Sequence, residues 1–350
     1  MATSLAESGH PAPEPNEERC RVWSLTSRLG RNSISQLAGH TAERFHWIED
    51  DAVVAYTVRD RIAVALGDPI APGDDLSPAV LGFRAWCASQ RWRCLFHQTD
   101  GVAPYRDLGF RLLPLGAEAL VAAGRLGRLE GGERADLRFA VRRSEREGLG
   151  FRLLPGPLAQ AAFGEQIATL SAQWLDAHGG QEMTFSLGSA ATLADAAIQV
   201  AVAVRADGRL EAFVTWLPAP RARAWTLDLM RRRPDATYGA MEFLLVRSAA
   251  EAARQGMDDL NLGLAPFFLG PEPPPATLRP VSRLLYERLA RFRRSESLCR
   301  FKAKFGPRWE LRYAAIDRPI GVPRAFRAML RAHAGGDTAR DRLRLLRSWR

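Results

Sequence analysis

The chain has 350 residues, 47% of them hydrophobic and 25% charged, with a net charge of +10. That length and balance fit a globular protein of one large or two ordinary domains and exclude a low-complexity or fibrous chain. Four cysteines without paired spacing, six scattered histidines and no long apolar run argue against a disulfide scaffold, a metal site and a membrane span, so reduced thiols, a cytoplasmic setting and at most peripheral membrane contact are expected.

In chain order, residues 1–20 are polar and Pro-rich and read as disordered, with no secretory leader. A helix is expected near 22–30, then a strand pair, 52–58 and 61–67, across a tight turn at Arg59-Asp60 and closed by Asp68-Pro69. A helix with apolar Leu76, Val80, Phe83 and Trp86 follows, then a buried strand at 93–97 and a short helix ending at Gly109. Residues 110–115 read as a strand, followed by a loop-rich stretch to Gly132. A helix over 133–147 stops at Gly148 and sets Arg134, Arg138, Arg142 and Arg146 at successive i+4 steps. This guanidinium stripe either tracks a phosphate backbone, with Arg138 and Arg142 as contacts, or is a solvated face paired to Glu145 and Glu147.

The second half is more legible. A helix near 163–177 precedes strands 199–205 and 209–217, joined by the hairpin signal Asp207-Gly208. A third strand, 224–230, leads through a polar loop to Gly239, which opens a helix to Gln255. Backbone N–H groups at that start, beside Arg231 to Arg233, are expected to receive a phosphate or an anionic acyl donor. Strand 259–264, a Pro-rich loop at 271–275, a helix about 281–293 and strands 298–305 and 309–315 complete the set. From Arg318 to Arg350 nine Arg stand against two Asp, a basic tail suited to nucleic acid or an anionic membrane. Residues 324–350 are expected to form basic amphipathic helices that dock on lipid or on tRNA.

Of 49 basic residues only Lys302 and Lys304 are lysines. Two amines one residue apart, in a chain that otherwise uses arginine, point to a group whose pKa can be tuned. On a strand they would share one face.

Helix, three strands, helix, strand, helix, two strands is the order of the GNAT acyltransferase fold, and the first half looks like a degenerate second copy. The expectation is an α+β chain of two tandem GNAT-like domains with mixed sheets and flanking helices. Residues 21–150 would form the N-terminal domain, 151–317 the catalytic domain and 318–350 the tail.

Several segments carry a closer resemblance: Ala65-Leu66-Gly67-Asp68-Pro69; Tyr105 through Gly109-Phe110 into Leu115-Gly116-Ala117-Glu118-Ala119; Leu137-Arg138; Asp228-Leu229-Met230-Arg231; Asn261-Leu262-Gly263-Leu264-Ala265-Pro266; and Phe301-Lys302-Ala303-Lys304-Phe305 with Pro307 and Trp309. In this order they resemble the C-terminal domain of the phosphatidylglycerol lysyl- and alanyltransferases, the multiple peptide resistance factor family. Ser297 departs from that pattern, which has Gly there, and the family's usual preceding multi-span membrane domain is not among these residues. The resemblance implies a tandem GNAT fold and transfer of an aminoacyl group from aminoacyl-tRNA to a lipid hydroxyl, usually that of phosphatidylglycerol. It implies no cofactor beyond the tRNA donor, and an anionic phospholipid partner at the inner face of the cell membrane. Asp228 would hold the α-ammonium, Arg231 a phosphate, and Glu287 would be a second carboxylate for amine recognition or proton transfer. Lys302 and Lys304 would neutralise the lipid phosphate or the developing alkoxide, with Gly239, Asn261, Gly263, Arg138 and Arg142 lining the substrates. Alternatives are a GNAT N-acetyltransferase using acetyl-CoA, a Fem-type peptide aminoacyltransferase and a non-catalytic RNA- or membrane-binding module.

Overall fold

The computed structural model describes residues 17–129, 131–177, 185–271 and 293–334. Helix α1 (Glu17–Leu29) and the one-turn α2 (Ala38–Thr41) lead to β1 (Arg44–Ile48), β2 (Ala52–Arg59), β3 (Ile62–Leu66), α3 (Ser77–Ser89), β4 (Arg93–Thr99), α4 (Ala103–Asp107) and β5 (Arg111–Ala122). Helices α5 (Ala123–Gly127) and α6 (Ala135–Arg146) follow. The second half runs β6 (Gly150–Pro155), α7 (Gly156–Ala177), β7 (Gln199–Val204), β8 (Leu210–Ala219), β9 (Ala224–Arg232), α8 (Ala240–Arg254) and β10 (Asp259–Pro266). Helix α9 (Arg293–Ala303), β11 (Arg308–Ile316) and α10 (Val322–His333) end the described chain.

The strands join in one eleven-stranded mixed sheet, in the order β1-β2-β3-β4-β11-β5-β10-β9-β8-β7-β6. The two halves follow one plan. Three antiparallel strands (β1–β3, β7–β9) are followed by a helix and then by a strand parallel to the third, β4 beside β3 and β10 beside β9. Each half then exchanges its last strand: β5 pairs with β10, β11 pairs with β4, and β5 and β11 pair with each other. The architecture is α+β, two GNAT-like units whose terminal strands interlock. On one face α7 packs on Val200, Val202 and Phe213, and α10 packs beside it on β2 and β3. On the other, α8 packs on Ala201, Ala203 and Val214, whose small side chains let it lie close, and α5 and α6 pack on α8.

Several expectations change. Residues 298–305 form no strand, since α9 covers most of them and ends in a turn. Phe301 and Phe305 meet at 5.3 Å between ring centroids, and Glu296 pairs with Arg300, both at i+4 spacing. The apolar–Lys alternation there imitates a strand, while the apolar surface of the sheet and α8 selects the helical period. The stretch expected to be loop after residue 115 continues β5 to Ala122, because Gly116 serves a close strand approach and not a turn. A side chain there would lie 2.2 Å from Ala265 O. Strands β1 and β6 had no sequence signal assigned to them, and α1 begins at Glu17, inside the segment read as disordered.

The tail is partly core. Helix α10 buries Ala325, Ala328, Met329 and Ala332. Its Arg324, Arg327 and Arg331 all engage Asp60 in the β2–β3 turn, where Asp60 and Arg61 have positive φ as a type I′ hairpin requires. This part of the tail is therefore half core, and its outer face exposes Arg324, Phe326 and Arg327. The remaining tail, 335–350, the expected helix at 281–293 with Glu287, and residues 1–16 lie outside the described residues.

Candidate active site

Parallel strands β9 and β10 pair only from Asp259↔Ala224 to Asn261↔Thr226 and then part. The parting is built by the sequence Asn261-Leu262-Gly263-Leu264. Gly263 has φ +81, and β10 shifts register against β5 between Asn261 and Leu264. The Asn261 side chain holds the bulge, its Oδ1 accepting from Gly263 N at 2.9 Å. Its Nδ2 donates to Glu118 Oε2 at 2.7 Å.

Lys302, from α9, occupies the bulge. Its Nζ donates to the Gly263 and Leu264 carbonyls, each at 2.8 Å, and the residue is 3% exposed. Burial pulls its pKa down to about 7, against a smaller upward pull from Cys299 and Glu118. A Cβ on Gly263 would sit 3.2 Å from Leu227 O and 3.8 Å from Lys302 Nζ, so amine, bulge and β9 just before Asp228 meet at one point.

Asp228 stands on β9 beyond the last paired residue, Thr226. Its Oδ1 accepts from Gly188 N at 2.8 Å and its Oδ2 from the Thr215 hydroxyl at 3.2 Å. Thr215 lies at the register shift between β8 and β9 and also accepts Leu229 N–H at 2.8 Å. Burial raises the Asp228 carboxyl pKa, opposed by the Gly188 and Thr215 donors and by Arg231 and His40. The Arg231 guanidinium, 6% exposed, lies 3.8 Å from the centroid of the Trp174 ring on α7. Asp228 and Arg231 thus lie on the α7 face of the sheet, and Lys302 ends at the bulge, on the carbonyls of Gly263 and Leu264.

The other expected site residues are placed differently. Lys304 and Lys302 do not share a face: Lys304 is exposed and pairs with Glu242 of α8 at 3.1 Å. Gly239 (φ +88) caps α8 against α6, where a side chain would meet Ala140 at 2.8 Å. The N–H of Thr237 is taken by Glu211 at 2.8 Å, and Arg231 lies across the sheet. The helix start is therefore packed, not an anion cradle beside Arg231. In the stripe, Arg134 is buried and Arg138 is tied to the carbonyls of Leu129 and Gly131 at 3.0 and 2.7 Å. Arg142 and Arg146 stay exposed, with exposed Phe139, along one groove. Glu145 and Glu147 pair with Arg247 and Arg143, not with the stripe.

The residue that sequence reasoning quoted but did not interpret is Glu118. It is fully buried and accepts from Ser33 Oγ (2.5 Å), Gln98 Nε2 (2.9 Å), Asn261 Nδ2 (2.7 Å) and Arg312 Nε (2.7 Å). Asp68 of the Gly-Asp-Pro segment joins through Asn32, which donates to Asp68 at 3.2 Å and to Asp100 at 2.8 Å, while Asp100 pairs with Arg312 at 3.0 Å. Four of the six segments shared with the resembled family are therefore linked in one network from Asp68 to Lys302, which leaves out Leu137-Arg138 and Asp228 to Arg231. The signal available in sequence was a Glu inside an apolar strand run, since a charge is rarely buried unless paired.

The phosphatidylglycerol lysyltransferase of Bacillus subtilis (strain 168) is 27% identical over 316 residues, which cover 88% of this chain and 36% of that protein. The lysylphosphatidylglycerol biosynthesis bifunctional protein LysX of Mycobacterium avium (strain 104) is 29% identical over 317 residues, 88% of this chain and 27% of that one. The chain thus spans about a third or less of these relatives. Among solved structures, L-PGS from Bacillus licheniformis superposes with a TM-score of 0.73 at 25% identity, covering 92% of this chain and 98% of that one. A C-terminal domain assigned to a lysylphosphatidylglycerol synthetase of Agrobacterium fabrum gives 0.73 at 28% identity, covering 89% and 95%. The family model described as phosphatidylglycerol lysyltransferase, C-terminal, matches residues 23–316, and the chain belongs to that family.

Proposed function

We propose that this chain transfers an aminoacyl group from the ester of an aminoacyl-tRNA to a hydroxyl of a phosphatidylglycerol head group. The observation that carries the reading is the buried Lys302 amine held by the β10 bulge, which lies against β9 at Leu227, the residue before Asp228. Family membership supplies the lipid aminoacylation.

The donor ester is already activated, so positioning and proton handling are what the protein adds. With a pKa near 7, Lys302 is substantially neutral at physiological pH. A neutral amine has two N–H groups, which match the two carbonyls it engages, and one remaining lone pair. In the proposed step the lone pair takes the proton of the attacking lipid hydroxyl as its oxygen forms the new ester bond. The same amine returns the proton to the departing ribose oxygen of the tRNA, so no resident cofactor is invoked. Asp228 holds the α-ammonium of the aminoacyl group, and Arg231, stacked on Trp174, binds a phosphate of tRNA or lipid. Exposed Arg142 and Arg146 extend the path for the tRNA backbone. An acetyl-CoA reading loses support because the α8 start is covered by α6.

The test incubates the protein with a mixture of radiolabelled aminoacyl-tRNAs and total lipid extract, then separates the lipids. Label in an aminoacylated phosphatidylglycerol supports the reading. Label that stays on tRNA, or moves to a peptide, rejects it.

A further inference from the structure

Helix α10 buries one side and leaves the other to solvent. Its inner side, Ala325, Ala328, Met329 and Ala332, shares a core cluster with Phe163 and Ile167 of α7, so both helices cover the same face of the sheet. The outer side is not simply polar. Pro323, Phe326 and Leu330 stand at i, i+3 and i+7, one line along the helix, and Phe326 is 37% exposed. Arg324, Arg327 and Arg331 form the adjoining line at the same spacing.

The charge beside that line is unbalanced. Arg324 Nη2 donates to the Asp60 carbonyl at 2.8 Å, Arg327 Nε to Asp60 Oδ2 at 3.0 Å, and Arg331 to Asp60 Oδ1. Arg61, next in the β2–β3 turn, is exposed, while Arg59 of the same hairpin is paired with Glu43. Four guanidinium groups thus stand against one carboxylate, an excess of three positive charges around a single turn. Helix α7 continues the face with little charge. Of its 22 residues only Glu165 and Asp176 are charged, against 25% of the whole chain, and it exposes Leu158, Ala161, Ala168 and Ala172.

We infer that α10 and the β2–β3 turn rest on an anionic bilayer surface, with Phe326 and Leu330 in the interfacial layer and Arg61, Arg324 and Arg327 among the lipid phosphates. An apolar line flanked by arginines suits a helix lying in a lipid interface, where acyl chains meet the apolar side chains and phosphates meet the guanidinium groups. A nucleic-acid backbone would engage the arginines and leave Phe326 and Leu330 in water. The surface adjoins the candidate active site. His333, at the end of α10, meets Ser186 Oγ through Nε2 at 2.9 Å, and Gly188, two residues on, donates to Asp228 Oδ1 at 2.8 Å. Docking on this side brings lipid head groups to the face that holds Asp228 and Arg231. The inference concerns where the protein rests and does not depend on the transfer reading.

Co-sedimentation of the whole chain with vesicles tests this. Vesicles of phosphatidylcholine mixed with phosphatidylserine carry the charge without the glycerol head group of the proposed acceptor, so their binding is read apart from transfer. The protein is expected to pellet with these and with phosphatidylglycerol-containing vesicles, and not with phosphatidylcholine alone. Arg61→Asn with Arg327→Gln is expected to weaken binding about tenfold or more, and Phe326→Ser about fivefold or more, with thermal melts confirming that each variant folds. Asn suits the left-handed backbone at position 61. Arg254→Gln, exposed on α8 across the sheet, is the control and is expected to change binding by less than about twofold. Equal pelleting of wild type and the α10 variants overturns the inference, as does absence of binding by wild type. Unchanged vesicle binding with loss of tRNA retention on filters would give the patch to RNA instead. Unchanged vesicle binding with a dimer that Phe326→Ser dissociates in sedimentation equilibrium would give it to a second copy, and either result overturns the inference.

Discussion

Replacing Lys302 with Met keeps the length of the side chain and removes its titration. The folded amine has a pKa of about 7, against 10.5 for a free lysine side chain. Between these values the unfolded chain binds more protons than the folded one, so stability rises with pH across that window. Below about pH 7 both states are protonated and the slope vanishes. The limiting slope is about 1.4 kcal/mol per pH unit, and the whole window is worth on the order of 4–5 kcal/mol. Urea unfolding of wild type and Lys302→Met at pH 7, 8 and 9 reads the difference directly, because the other titrating groups cancel in the comparison. The expected result is a wild-type stability that climbs relative to the variant with each pH step. Parallel curves would refute the reasoning, because they would mean that Lys302 titrates where an exposed lysine does. The same pKa predicts that transfer rate rises through about pH 7 and then levels, as the neutral amine becomes available.

Gly263→Ala places a Cβ at φ +81, 3.2 Å from Leu227 O, and should cost about 1–2 kcal/mol by urea unfolding while lowering transfer further, through the displaced bulge. Glu118→Ala removes the acceptor of four donors from separate elements. It should destabilise by about 3 kcal/mol, and a loss under about 1 kcal/mol would show that Arg312 and Asn261 find other partners. Arg142→Glu with Arg146→Glu should leave the melting temperature within a degree or so and weaken tRNA binding in filter assays, with a shallower salt dependence. An unchanged salt slope would remove the groove on α6 from the tRNA path.

Strands β2, β3, β7, β8 and β9 were legible as short apolar runs bounded by turn signals, because burial on both faces keeps polar residues out of them. Helix α8 was legible through Gly239 and its apolar face. The Phe-Lys-Ala-Lys-Phe segment misled because alternation over five residues fits a strand as well as a helix end, and only the surface beneath decides. Its first lysine is the buried one, since Phe301 and Phe305 pack inward and turn Lys302 under the β10 bulge. Lys304, two residues on, points to Glu242 and water. Strand exchange between the halves could not be read at all, because nothing local records which partner β5 or β11 will choose. For the same reason Glu118 and Arg312, 194 residues apart, showed nothing in sequence of their shared role. Asp228 and Arg231 were found through a shared motif, whereas Thr215, Gly188 and Trp174, which position them, carry no pattern of their own.

Single-turnover transfer from labelled aminoacyl-tRNA to phosphatidylglycerol vesicles, measured for wild type and folded Lys302→Met, tests the central claim most directly. Labelled lipid is expected with wild type and essentially none with Lys302→Met. Equal labelling by the two proteins would contradict it, and absence of labelled lipid with wild type would remove the proposed reaction itself.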